Sequence, residues 1–116
     1  MNQQLIQETI ESINEYNPKL TAAIEQVCNL IQTGKETEGL SLLSKVLEGL
    51  QWTIQAISGI NKITPDFLPN EELIFDNVNE MLSGLEMNDY VLVTDLFEYE
   101  ILPFLHQVQE SLIRQV

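Results

Sequence analysis

Residues 89–105, DYVLVTDLFEYEILPFL, decide the fold class. Wound as a helix at about 100° per residue, Leu92, Leu96, Tyr99 and Pro103 make one flank. Val93, Phe97 and Phe104 make the next, and Val91, Leu102 and Leu105 fall on the side that holds Thr94, Asp95 and Glu98. A helix apolar on so much of its circumference needs more than one neighbour to cover it, which places it inside a bundle or in a subunit interface.

Working back from this segment, Ile6, Ile10, Ile13, Tyr16, Leu20, Ile24, Val27 and Ile31 recur at spacings of three and four from Gln3 to Thr33, the period of a helix with one apolar face. The stripe keeps its phase across Pro18, which predicts one long helix kinked near Asn14 to Pro18 and closed by Gly34 as the C′ residue. A second helix is predicted from about Glu36 to Ile63. Its core face is Leu40, Leu43, Val46, Leu47, Leu50, Ile54, Ile57 and Asn61, and a second stripe of Lys45, Gly49, Trp52, Ala56 and Gly59 runs along the other side. Pro65 and Pro69 break the chain over residues 64–70. Asn70, followed by two glutamates, suits the start of a third helix, because its side-chain oxygen can accept from free amides at the positive end of the helix dipole. That helix is expected to run to about Leu85, buried through Leu73, Ile74, Val78, Met81 and Leu82. Asn88 or Asp89 then caps the fourth, to about Arg114.

The expected architecture is all-α, a four-helix bundle in one domain over residues 1–116. It consists of a hairpin of about 3–63, a loop of 64–70 and a hairpin of about 70–114. A shift of fifty residues sets Ile24 on Ile74, Gly34 on Gly84 and Leu42 on Leu92, the pattern a duplicated hairpin would leave.

Eighteen acidic against five basic side chains give a net charge of −13. Such a field repels nucleic-acid phosphates and anionic lipid, so neither is an expected partner, whereas a basic protein segment is attracted. The 44% hydrophobic content argues against disorder. No run approaches the roughly 20 apolar residues that cross a bilayer. The single cysteine, Cys28, has no partner for an intramolecular disulfide, and the start of the chain has no leader pattern. Both point to a reduced, cytoplasmic setting.

No catalytic motif stands out. Helical bundles that hold two metals use Glu-x-x-His pairs, and the one histidine, His106, has no glutamate three residues before it. Helical magnesium hydrolases rely on carboxylates alone. The acids here do not fall into their paired helices, and no cluster of lysines or arginines awaits a phosphate. Glycines are scattered instead of forming a phosphate loop. The expectation is therefore no enzyme, no metal and no cofactor. Glu100 is the anomaly, since an ideal helix puts it among Val93, Leu96, Phe97, Pro103 and Phe104. A carboxylate there is costly unless hydrogen bonded or neutral, and the structural reading is a buried polar anchor.

The run 95–103, DLFEYEILP, preceded by 89–93, DYVLV, resembles a segment of small acidic helical proteins of Gram-positive bacteria. The likeness covers about a sixth of the chain. It implies a local structural device built on tyrosine, glutamate and proline, and no activity or ligand.

The expected function is a noncatalytic protein–protein interaction module that associates with itself, as a dimer in the simplest case, or with another protein segment. The expected contact residues are Gly49, Trp52, Ala56, Phe97 and Leu102. Two interior glycines cost a helix roughly 1 kcal/mol each, so two on the Trp52 stripe suggest close packing, within the chain or against a partner. The alternatives are a small export or assembly chaperone that binds a client helix, and a carboxylate-dependent magnesium hydrolase.

Overall fold

Helix α1, Gln3–Gln32, stops where Gly34 takes a positive φ of 87°, and α2, Glu36–Ile63, starts just beyond it, in a computed structural model that describes residues 3–114. The Lys35 amide donates to the Leu30 carbonyl at 2.8 Å and the Gly34 amide to the Ile31 carbonyl at 3.2 Å. These are the paired bonds of a Schellman close, and glycine enters the left-handed region there without a β-carbon clash. Asn88, with φ of 57°, ends α3, Glu72–Glu86, in the same way: the Asp89 amide reaches the Gly84 carbonyl at 2.8 Å and the Asn88 amide that of Leu85 at 3.2 Å. Asp89 then caps α4, Tyr90–Leu96, its carboxylate accepting from the Leu92 amide at 3.2 Å. Gly34 and Gly84, paired by the fifty-residue shift, thus have different places. Gly84 is buried inside α3, where a β-carbon would press on Leu92 and Val93.

The long loop is tied to the end of α2 by one side chain. The Asn61 carboxamide accepts from the Leu68 amide at 3.0 Å and donates to the Leu68 carbonyl at 3.2 Å. Leu68 is thereby fixed and buried in the core. Asn70 lies two residues before α3 and accepts from the Glu72 amide at 3.0 Å, while Glu71, the residue directly before the helix, makes no side-chain capping bond.

Beyond α4 the chain passes through a π turn, Phe97–Ile101, into α5, Leu102–Arg114, so that these three segments form one C-terminal rod. All regular structure among the described residues is helical, four rods arranged as a four-helix bundle. Helix α1 lies antiparallel to α2, with Ile31 beside Gly39 and Tyr16 beside Gly49. It is also antiparallel to the C-terminal rod, with Gln32 bonded to Glu98 and Asn17 to Leu105. Helix α3 packs on α4 and the π turn, and the extensive backbone contact of α2 is with α1. Leu20, Ile24 and Val27 of α1, Leu50 and Ile57 of α2, Met81 of α3, and Phe97, Ile101 and Leu105 of the rod belong to one buried core.

The π turn changes which side chains of the rod face inward. Leu102 donates its amide to the carbonyl of Phe97, five residues back. The wider turn keeps residues four apart closer to one face than an α-helix would. Val93, Phe97, Ile101 and Leu105 consequently form the buried line, and Glu100 is displaced to the outside, where it is exposed. The expected buried anchor at Glu100 is thereby corrected. Tyr99, at 70% exposure, and Val91 also face solvent, so the rod is covered on its core side and not all round. Leu73 and Leu82, expected to be buried, are exposed as well.

The buried polar anchor is Asn17, 2% exposed, one residue before Pro18 in the middle of α1. Its amide nitrogen donates to the Leu105 carbonyl at 2.9 Å and to Oε1 of Gln109 at 3.1 Å, and the Gln109 amide donates to Oδ1 of Asn14 at 2.9 Å. Oδ1 of Asn17 has no partner in the structure. These bonds fix the register of α1 against α5. Asn17→Ala is expected to lower the unfolding free energy by about 1–3 kcal/mol, because it takes the side-chain donor from the buried Leu105 carbonyl and from Gln109. Glu100→Ala should stay within about 0.5 kcal/mol of the parent. Urea denaturation of both variants checks this, and the reverse order would contradict the assignment.

Candidate functional site

The expected contact residues separate into two groups. Phe97 is fully buried and Leu102 nearly so, both covered by the chain's own helices, so neither offers surface to a partner. Gly49, Trp52 and Ala56 lie along α2 where it meets α1. A β-carbon on Gly49 would overlap the Tyr16 hydroxyl, which explains that glycine by packing within the chain. Tyr16 in turn meets Trp52 edge to face, with centroids 5.7 Å apart at 86°, a favoured arrangement for aromatic pairs. Ala56 is half-buried and Trp52 remains 41% exposed. Gly59 has nothing within 4 Å of its β position. The cleft beside Trp52 holds about 520 Å³ and is lined by Glu15 and Glu48 together with Lys19 and Lys45. Equal numbers of each sign leave it with no net charge to select a ligand.

A different surface has the character of a docking site. Between α2 and α3 lies a groove of about 380 Å³, walled by Leu47 and Ile54 on one side and Phe75, Val78 and Leu82 on the other, over Leu50. Phe75 is 54% exposed and Leu82 44%. Gln51, Gln55 and Asn79 are the polar groups in it. Each helix turns its inner residues to the core, Leu50 and Ile57 from α2 and Ile74 and Met81 from α3, while the two backbones make no extensive contact. The apolar shoulders of both therefore remain uncovered. Periodicity had assigned Leu47, Ile54, Val78 and Leu82 to apolar faces. What it could not supply was the spacing of α2 from α3. Phe75 was missed altogether, although it lies three and seven residues from Val78 and Leu82, the spacing of a helix face.

Among the described residues no three of the His, Cys, Asp and Glu side chains come together where they could hold a metal ion. His106 is exposed on α5. Cys28 is buried, and its burial pushes the thiol from 9.0 up to about 12, with the carboxylates of Glu98 and Glu25 adding to the effect. A thiol so protonated is a poor nucleophile. The unfolded thiol ionises near 9.0 and the folded one near 12, so the fold loses stability progressively as pH rises between those values. At pH 8 a chromogenic disulfide reagent should react with Cys28 only as fast as the protein opens, and at once after unfolding in urea. Rapid stoichiometric release of the chromophore from the native protein would contradict this.

The chain belongs to a family described as a domain of unknown function, DUF8042, which matches residues 8–111. Neither the curated proteins nor the solved structures include one that matches it. No helix among the described residues is long and apolar enough to cross a membrane.

Proposed function

We propose that this member of the DUF8042 family is a noncatalytic helical protein–protein interaction module, and that it receives its partner in the groove between α2 and α3. The observation that carries the reading is the exposure of Phe75 and Leu82 within an apolar groove whose floor is the core residue Leu50. Apolar surface gains about 25 cal/mol for each Å² removed from water. Large contiguous apolar patches on a folded protein mark places where a partner covers them. Two helices with a trough between them are also the geometry into which a third helix lays its apolar face.

An export or assembly chaperone that shelters a client helix is the special case in which the partner is itself unassembled, and it uses the same groove. Residence in the cytoplasm belongs to the proposal, supported by a single cysteine kept as a buried thiol. A bend in α1 belongs to it too, because Pro18 cannot donate to the Asn14 carbonyl one turn earlier.

A photo-activatable phenylalanine analogue at position 75 or 82 should give a discrete covalent adduct with another polypeptide in the cell that makes the protein. The same analogue at Gln107, exposed on α5, should give none. Absence of adducts at 75 and 82, or equal yields at 107, would contradict the proposal.

A further inference from the structure

The charges around the groove define what kind of helix it takes. Along α3 the residues Glu72, Phe75, Asn79, Leu82 and Glu86 follow one another at spacings of three and four, so they form one ridge. The centre of the ridge lines the groove, and both ends are exposed carboxylates. Helix α3 contains Glu72, Asp76, Glu80 and Glu86 and no lysine or arginine. The facing wall on α2 is uncharged where it lines the groove, through Leu47, Gln51, Ile54 and Gln55. Of the two lysines on α2, Lys45 lines the cleft shared with α1, and Lys62 lies in the last turn, eight residues beyond Ile54.

From Phe75 to Leu82 the ridge covers about 10 Å at 1.5 Å per residue, the span of side chains i, i+3 or i+4, and i+7 on an opposing helix. From Glu72 to Glu86 it covers about 21 Å on the same rise.

Resting on the interaction reading above, we propose that the occupant is an amphipathic helix of another protein. Its apolar face spans two turns and is flanked at each end by lysine or arginine, which meet Glu72 and Glu86. A symmetric pairing of two copies through α3 is disfavoured. It brings −13 against −13, and α3 has no base to set against the acids of a sister α3.

The test uses three labelled helical peptides with one apolar face and, at the two flanking positions, lysine, glutamine or glutamate. Binding to the full chain is followed by fluorescence anisotropy. The lysine peptide should bind about five to ten times more tightly than the glutamine peptide, the scale two exposed ion pairs support, and the glutamate peptide more weakly still. The preference should shrink with added salt. Glu72→Gln with Glu86→Gln should remove the preference and leave the glutamine peptide unaffected. Phe75→Ser with Leu82→Ser, which leaves every charge in place, should abolish binding of all three.

Equal affinities for the three peptides, or lysine-peptide binding that survives the serine substitutions, would overturn the proposal. So would a dimer in sedimentation equilibrium that Leu82→Lys dissociates. Cross-links at positions 75 and 82 without a lysine preference would overturn the charge assignment alone and leave the interaction reading standing.

Discussion

The contact of α1 with both α2 and the C-terminal rod is the constraint on which the rest of the molecule depends. Its apolar line is buried at Ile13, Leu20, Ile24, Val27 and Ile31 and half-buried at Ile6, Ile10 and Tyr16. Asn17 sets its register on α5 by bonding to Leu105 and Gln109. Close backbone contact holds α2 to α1 and α3 to the C-terminal rod, whereas α2 and α3 are joined by the loop that Asn61 ties down. Core side chains fill the middle of the bundle, and the shoulders of α2 and α3 remain apart above Leu50. The groove is thus a consequence of which helices hold which, as much as of the residues that line it.

Much of the fold was legible because helix ends have local chemistry. Gly34 as the close of α1, the start of α2 at Glu36, the break at Pro65 and Pro69, and Asp89 as a cap all follow from residues acting on their immediate neighbours. The π turn was not legible, since nothing in residues 97–101 distinguishes a turn closed by i→i−5 bonds from an ordinary one. Its effect on Glu100 was therefore missed, because an ideal 100° step puts that carboxylate inside. Tyr16 continues the apolar stripe and masks Asn17 beside it, although both lie within one turn. Asn17 is four residues after Ile13 and three before Leu20, and that spacing was the available signal.

The candidate site was less legible than the fold. Periodicity identifies an apolar face, but whether another helix covers it depends on contacts far apart in sequence. Leu73 and Leu82 read as core by period and are exposed. Phe97 and Leu102 read as surface for a partner and are enclosed by their own chain. The Gly49 and Trp52 stripe did signal close packing, and the packing element is Tyr16 of the same chain.

The account stands on the groove being open in the isolated protein in solution. Methyl NMR with a soluble paramagnetic agent measures this directly. The methyl groups of Leu47, Ile54, Val78 and Leu82 should broaden strongly, while those of Leu50, Ile57, Ile74 and Leu105 remain sharp. If Ile54 and Leu82 were as protected as Leu105, α2 and α3 would be closed against each other or covered, and the docking surface would not exist.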